Sequence, residues 1–359
     1  MLNNNSNQYP MVLKLSILLT TLWLSGCQTL PEKKTIKQDS TALKISEQTL
    51  QHAYDFVVID TEQQSVVNIK QLAEQLREVD VVFIGEFHGN QASHLLEMQL
   101  QAALFEQNSQ QVLSMEMFNR DQQDILNRYL DDEIGEKYLI NEAPTWPNYS
   151  GSYRPMIEFA KQHFIPVIAA NASADIVRCI GSYGQGYESL IPEQQRRFLA
   201  KQPYLNDNAY QQKFSDFMDS MRQTSDERKA NSYAAQLARD NTMAESILTA
   251  RQNHPEAQII HLNGSFHSEA GLGTVALLKQ RAPELQIAVI TPIRIESGNK
   301  ISWTQDERTL GDYLYFVTPQ PVDYRNTAYK MQARQTQFNN AKEKTKRCYA
   351  PNIGKMESR

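Results

Sequence analysis

Short apolar runs alternate with stretches of helical periodicity through most of this 359-residue chain. The runs are continuously apolar, as in strands buried on both faces of a parallel sheet, and the stretches between them repeat apolar residues every three or four positions. The predicted strands are 80–85, 111–117, 164–169, 257–263 and 286–291, and the predicted helices are 91–106, 120–132, 154–162 and 269–281. This alternation predicts an α/β fold, a mainly parallel sheet flanked by helices with right-handed crossovers.

Two regions break the alternation. Residues 181–253 contain no convincing strand and predict a helical insertion subdomain that forms a lid or wall over the sheet. The helices expected within it are 192–201, 207–222 and 226–252. Ahead of the first strand, the apolar runs 56–60 and 65–68 flank a polar turn, which is typical of a β-hairpin.

Residues 1–26 have the architecture of a secretory signal peptide. Lys14 precedes a short apolar core that ends in Leu24-Ser25-Gly26-Cys27, and this core is too short to span a bilayer as a helix. The tetrapeptide resembles the bacterial lipobox, which implies cleavage before Cys27 and lipidation of its sulfur, with palmitate among the acyl chains. Gln28 rather than Asp follows, and in enterobacterial-type sorting this implies the outer membrane. An ordinary signal peptide with a chance cysteine is the alternative.

The remaining chain divides into a polar tether over 27–48, an α/β domain over 49–320 and a basic tail at 321–359 that is expected to be partly disordered. Residues 1–26 hold one of the 36 basic residues, so the mature chain carries 35 against 41 acidic residues, a net charge of −6. This acidic balance excludes proteins that bind nucleic acid through a basic footprint. Cys179 and Cys348 are available for a disulfide, which an oxidising periplasm permits and the sequence leaves open.

Two matching tetrapeptides follow predicted strands, Gly85-Glu86-Phe87-His88 and Gly264-Ser265-Phe266-His267. Ligands of open α/β sheets bind in the crevice beyond the carboxyl ends of the strands, so we expect the two histidines to meet around one ligand. Glu116 and Asn171 mark the ends of two further strands. Two histidines and two carboxylates suit a divalent metal or a general base, and the site predicted on this reasoning is Glu86, His88, Glu116 and His267. The alternative is that these residues cap helices and fix loops.

A second cluster is aromatic and spans residues 146–155. Tyr153 adjoins Arg154, and a cation beside a tyrosine stabilises a phenolate, which ligates ferric haem in some proteins. In the insertion, Arg239 and Asp240 lie next to small residues, and the guanidinium could enter the site. The plainer alternatives are an aromatic loop that packs on the sheet and a surface ion pair of little energetic value.

Several motifs together resemble the ChaN-type haem-binding uptake lipoproteins, in the superfamily of the Tiki and TraB-like proteins and erythromycin esterase. In chain order they are Gly85-Glu86-x-His88, Glu116-Met117-Phe118-x-Arg120-Asp121-Gln122-Gln123, Trp146 with Tyr153-x-Pro155, Ala170-Asn171, Arg239-Asp240-x-x-Met243-Ala244, Gly264-x-x-His267 and Asp312-Tyr313-Leu314-Tyr315. They run through most of the mature chain. The first motif often continues with an acid, and Gly89 replaces it here, which weakens a metallohydrolase assignment.

The resemblance implies haem binding for iron acquisition, by tyrosine ligation at the interface of a homodimer. The haem-binding residues predicted from it are Tyr153, Tyr149, His88, His267 and Arg239, with Tyr183, Tyr187, Tyr204 and Tyr210 left open. Two functions therefore compete. The first is an outer-membrane lipoprotein, not an enzyme, that passes haem to or from an outer-membrane receptor, and the lipid anchor and the tyrosine-rich insertion favour it. The second is a hydrolase that uses the strand-end Glu/His cluster with a metal or an activated water.

Overall fold

The computed structural model describes residues 43–348 apart from 145, 202 and 222–224, and the predicted lipidation site at Cys27 lies outside them. The strands are β1 (Leu43–Thr49), β2 (Phe56–Asp60), β3 (Ser65–Val67), β4 (Val81–Glu86), β5 (Gln111–Asn119), β6 (Val167–Asn171), β7 (Gln258–Gly264), β8 (Ile287–Arg294), β9 (Lys300–Trp303) and β10 (Tyr313–Val317). The helices are α1 (Ile69–Gln75), α2 (Gln91–Gln107), α3 (Gln123–Leu130), α4 (Glu136–Glu142), α5 (Tyr149–Ser152), α6 (Arg154–Gln162), α7 (Ala174–Tyr183), α8 (Glu193–Arg196), α9 (Asn208–Met221), α10 (Asp226–Asn253), α11 (Thr274–Arg281) and α12 (Thr327–Thr345). Within the described part of the chain, no helix is long and apolar enough to cross a membrane.

An eight-stranded sheet organises the domain, in the order β3-β2-β10-β8-β4-β7-β5-β6. All neighbours from β10 to β6 are parallel, and β2 pairs antiparallel with both β3 and β10. This confirms the predicted mainly parallel α/β fold, and the β2–β3 pair is the predicted hairpin. Strands β4 and β7 lie side by side, with Glu86 opposite Gly264, so the two Gly-x-x-His turns leave the sheet at neighbouring points.

The core forms two layers, one on each face of the sheet. Along β4, Val82 and Ile84 pack with α1, α2 and α6, whereas Val81 and Phe83 pack with α9, α10 and α11. Every residue of β4 is buried because both faces are covered. This explains why the strand is continuously apolar in sequence until its last residue, Glu86.

The insertion is helical as predicted, and within its described residues it contains no strand. Ser225 caps α10, and this 28-residue helix packs against α7, α11 and β6. The helix expected at 192–201 is shorter than predicted, because only the single turn of α8 forms there. Helix α10 carries Asp240 to His267, which follows the end of β7.

Three further sequence expectations need correction. Strand β6 begins at Val167 rather than at 164, because Phe164 has a left-handed backbone (φ 56°) and Pro166 has no N–H for a strand ladder. The predicted tether extends too far, since β1 pairs with β9 from Leu43 onward. The predicted disordered tail contains helix α12, whose first turn is capped by the Asn326 side chain.

A disulfide joins Cys179 of α7 to Cys348, directly after α12, and settles the question that the sequence left open. Helix α12 buries none of its residues, so apolar packing contributes little to holding it in place. The bond spans a sequence separation of 169 residues, and closing so long a loop restricts the unfolded chain. The disulfide therefore fixes the position of α12.

We expect the double substitution Cys179→Ser with Cys348→Ser to lower the free energy of unfolding by about 2–4 kcal/mol. Amide hydrogen exchange in α12 should accelerate, because the bond that holds this helix against α7 is lost. Urea unfolding with and without reductant measures both effects, and reductant should change the wild-type protein but not the double variant. Equal stability of the two proteins under oxidising conditions would contradict the assigned role.

Candidate functional site

Glu86 and His88 form the first half of the site, at the end of β4. Oε1 of the buried Glu86 carboxylate accepts hydrogen bonds from His88 Nδ1 and, at 2.6 Å, from the Tyr153 hydroxyl. Burial opposes ionisation of Glu86, but the hydrogen bonds from His88 and His94 outweigh it and hold the pKa of this carboxyl well below its usual range. Burial likewise opposes protonation of His88, and Glu86 more than offsets it, so the pKa of His88 is raised.

His267 and Asp240 form the second half. Asp240 Oδ1, fully buried in α10, accepts a hydrogen bond from His267 Nδ1 at 2.6 Å and another from the Thr274 hydroxyl at 2.7 Å. Burial lowers the His267 pKa, whereas the charges of Asp240 and Glu116 raise it, and the charges prevail. The insertion thus supplies the carboxylate that orients a histidine from the sheet.

Glu116 lies between the two halves, on β5. Its Oε2 accepts a hydrogen bond from the backbone N–H of Gly264 at 2.7 Å, and its Oε1 lies 3.5 Å from His267 Nε2. Asn171, at the end of β6, donates from Nδ2 to the Glu116 carbonyl oxygen at 3.0 Å. The Glu116 charge raises the pKa of both His88 and His267, so this carboxylate acts on both rings.

The glycines of both motifs are required by close packing. A Cβ atom on Gly264 would lie 2.6 Å from His88 Nε2, and a Cβ atom on Gly85 would lie 3.0 Å from the Ser265 Cα. The first distance shows that His88 Nε2 sits directly over the second motif. A side chain at either glycine would push the two turns apart.

The arrangement has a specific chemical capacity. Each histidine bonds a buried carboxylate through Nδ1, Glu86 for His88 and Asp240 for His267. Nε2 of His267 lies 3.4 Å from Gln236 Nε2 and 3.5 Å from Glu116 Oε1. Carboxylates orient metal-ligating histidines and general-base histidines in this way. Nitrogen and oxygen donors of this kind suit a divalent metal. Among the described residues, however, the ligand atoms that lie close enough together to hold one belong to Glu86, His94 and Glu97. The structure therefore brings the four predicted residues together, and their chemical role remains a prediction.

Arg239 adds positive charge beside this cluster. Among the described residues it forms no ion pair, although the charges of Glu116 and Asp240 act on it. Burial lowers the pKa of its guanidinium, and the two carboxylates only partly offset this. The side chain is half-buried.

A buried polar cluster adjoins the first half of the site. Ligand atoms of Glu86, His94 and Glu97 lie within 4.8 Å of one another, a spacing that could hold a metal. However, the Gly89 N–H donates to His94 Nε2 at 3.0 Å, so the ring proton is on Nδ1, which lies 2.9 Å from Glu97 Oε2. Burial and the Glu86 charge raise the pKa of Glu97 well above its usual range. The His94 Nδ1 proton thus lies between two buried carboxyl groups, 2.9 Å from Glu97 and 3.2 Å from Glu86.

Tyr153 and Tyr149, the tyrosines favoured from the sequence, are 1% and 2% exposed. Tyr153 donates its hydroxyl to Glu86, and burial and the Glu86 charge raise its pKa. Arg154, expected to stabilise a phenolate, instead pairs with Glu136. The expected Tyr153 phenolate is therefore not supported, because the hydroxyl donates to a carboxylate and Arg154 pairs with another residue.

The four tyrosines left open in the insertion differ sharply in exposure. Tyr210 and Tyr187 are buried, with the Tyr210 hydroxyl accepting a hydrogen bond from Gln236. Tyr204 is half-buried with its hydroxyl enclosed. Tyr183, the last residue of α7, is 41% exposed. Of these four side chains, Tyr183 is the one that a ligand reaches from solvent.

Comparisons with known proteins agree with this architecture. The family model described as haem-binding uptake, Tiki superfamily, ChaN matches residues 72–278, more than half of the chain. The chain belongs to this family. No curated protein matches it.

Two solved structures show the extent of the likeness. ChaN of Campylobacter jejuni, described with cofacial haem binding, is 19% identical over 75% of this chain and 100% of its own, with a TM-score of 0.54. An erythromycin esterase variant in its open conformation is 12% identical over 78% of this chain and 87% of its own, with a TM-score of 0.42. At these identities, the first likeness bears on the fold alone and the second carries no further weight.

Sequence reasoning missed three residues of the site. The sequence pattern singles out Asp240 only as the neighbour of Arg239, and it predicts no place in the site for His94 or Glu97. The available signal was weak: Glu97 and His94 fall among apolar residues of a predicted amphipathic helix, where a carboxylate needs a partner.

Proposed function

We propose that this protein binds haem and takes part in haem uptake. Membership of the haem-binding uptake family across residues 72–278 carries the proposal. The fold shared with Campylobacter jejuni ChaN, which binds haem cofacially, supports it. The tyrosine-rich insertion offers ligands for ferric haem, which prefers an anionic oxygen donor.

The cellular setting forms the second part of the proposal. The lipobox and Gln28 favour an outer-membrane lipoprotein anchored through Cys27. From this position the protein would pass haem to or from an outer-membrane receptor. A homodimer would hold two haems face to face, in keeping with the cofacial binding of the Campylobacter protein.

Haemin added to the full purified chain should produce the charge-transfer band of a tyrosinate–haem complex and saturate at a defined stoichiometry. Sedimentation of the same sample shows whether haem addition promotes dimer formation. Absence of binding at micromolar haemin would overturn the haem proposal.

Cys27→Ser should release the protein from the membrane fraction or leave it unprocessed, because the sulfur that carries the lipid is lost. Fractionation of cells, with the protein followed by immunoblot, measures the outcome. Cys179→Ser with Cys348→Ser is the matched control, since it removes cysteines but keeps the lipobox. If the Cys27 variant is processed and remains in the membrane as before, the anchor is not at this residue.

A metal-dependent or water-activating hydrolase is the second candidate, favoured by the two carboxylate–histidine pairs that lie at the ends of the neighbouring strands β4 and β7. His88 and His267, with Glu116, would hold a divalent metal or activate a water, and Arg239 would bind an anionic substrate. Metal analysis of the purified protein tests this candidate, with His88→Ala and His267→Ala as variants that should lose the metal. A metal content that is unchanged by both substitutions would remove it.

A further inference from the structure

A groove of about 680 Å³ runs between α7, the start of α10 and α12. Its walls include Tyr183 from α7, Arg228 from α10, and Phe338 and Lys342 from α12. Helix α12 lies beyond the part of the chain that the family model matches, which ends at residue 278. One wall of the groove, α12, therefore lies outside the residues that the family model matches, whereas the α7 and α10 walls lie within them.

Tyr183 is suited to ligate a metal in this groove. Its side chain is 41% exposed, and among the described residues its hydroxyl makes no hydrogen bond. The ring stacks on Tyr187, with centroids 5.6 Å apart and planes inclined by 19°, so a buried aromatic neighbour fixes its position. Tyr153 differs on each count, because its hydroxyl is buried and already donates to Glu86.

The groove is basic. Arg178, Arg228, Lys342 and Lys346 line it, against one acidic lining residue, Glu227. Arg178 and Lys346 pair with Asp175 and Glu343, respectively. Among the described residues Arg228 and Lys342 form no ion pair. These two come from opposite walls, α10 and α12, so they can receive two separate carboxylates.

Helix α12 exposes apolar surface to the groove. Phe338 is 56% exposed on a helix that buries none of its residues, yet the Cys179–Cys348 bond holds this helix beside α7. An exposed aromatic side chain on a groove wall favours a ligand with a flat apolar face. The disulfide keeps that wall in place when the groove is empty.

We propose that this groove binds a tetrapyrrole dicarboxylate, with Tyr183 as the iron ligand, Phe338 against the porphyrin face, and Arg228 and Lys342 on the propionates. The assignment rests on the proposed haem-binding function and places its site outside the strand-end cleft. A groove volume of about 680 Å³ lies within the range of about 300–1,000 Å³ that is usual for cofactor sites.

Titration of the full purified chain with haemin tests the assignment, with absorption spectra as the readout. Tyr183→Phe should abolish the charge-transfer band. Tyr329→Phe is the matched control and should leave the band unchanged. Tyr329 is also an exposed tyrosine of α12, but it lies nine residues before Phe338 and therefore on the opposite face of the helix.

The charged walls give a second test that does not depend on ligation. Lys342→Gln and Arg228→Gln should each raise the Kd for haemin by about tenfold, the usual value of a charged hydrogen bond. Lys344→Gln, two residues along α12 and on another face, should not change it. Loss of the disulfide in Cys179→Ser with Cys348→Ser should also weaken binding, because α12 is then no longer held at the groove.

The outcomes separate the two proposals. If the wild-type chain does not bind haemin, the haem-binding function fails and this assignment fails with it. If the wild-type chain binds and Tyr183→Phe keeps the band, or if neither Lys342→Gln nor Arg228→Gln weakens binding, haem binds elsewhere and only this assignment is overturned. Circular dichroism checks that each variant is folded. If Tyr183→Phe is not folded, the exposed variants Lys342→Gln and Arg228→Gln still test the assignment.

Discussion

Glu86→Gln is expected to lower the free energy of unfolding by about 3–5 kcal/mol, the cost of breaking a buried charge network by changing one partner. The carboxylate accepts from His88 and from the Tyr153 hydroxyl, and it lies 3.2 Å from His94. An amide oxygen in place of Oε1 can still accept from both groups, but the negative charge is lost. The amide N–H₂ in place of Oε2 is a new donor that faces His94 Nδ1, which also donates. Urea unfolding at neutral pH measures the loss.

The matched control is Glu106→Gln, which makes the same change on the exposed side of α2 and should alter stability by no more than about 0.5 kcal/mol. The His88 titration, followed by NMR, supplies a second readout. Without the negative charge of Glu86, the His88 pKa should fall, because burial then acts with less opposition. A stability equal to that of the control variant would show that Glu86 is not the centre of the network.

Asp240→Asn is expected to destabilise the protein most at acidic pH. The pKa of His267 is raised in the folded state, so the stability that protonated His267 contributes is fully present below its unfolded pKa of about 6.5 and is lost as pH rises through the folded value. Asn keeps an oxygen for Nδ1 but removes the charge, and the His267 pKa should fall. We expect a loss of about 2–3 kcal/mol below pH 6 that shrinks toward pH 8.5.

Urea unfolding at several pH values from 5.5 to 8.5 measures this pH dependence, together with the NMR titration of His267. Asp124→Asn on the exposed side of α3 is the control and should leave the pH profile unchanged. If the destabilisation is the same at every pH, Asp240 acts by packing alone and does not set the charge of His267.

The strand-end cluster and the α12 groove can be tested separately. The cluster is built from buried carboxylates and oriented histidines, whereas the groove is built from exposed tyrosine, aromatic and basic side chains. Substitutions in the groove should therefore change haemin binding without the stability losses expected at Glu86 and Asp240. This difference allows a binding effect to be told apart from an effect on the fold.

The sequence by itself determined the class of fold and the location of chemistry within it. Short continuous apolar runs that alternate with stretches of helical periodicity are typical of strands buried on both faces, so the parallel sheet followed from their pattern. The polar residues that end those runs, Glu86, His88 and His267 among them, had to lie at one edge of the sheet, because parallel strands end together. Helix α10 was likewise predictable, since its periodicity extends over many turns.

Only the tertiary structure decided which of these residues act together. Strand order places β4 beside β7 although about 170 residues separate them, and no local pattern encodes that neighbour. The partner of His267 comes from the insertion, and the partner of Tyr153 proved to be the Glu86 carboxylate rather than the adjacent Arg154. Adjacent residues on a helix point in different directions, so a side chain need not interact with the charged residue next to it in sequence. The partners that determine the charge of His267 and of Tyr153 were therefore set by long-range packing.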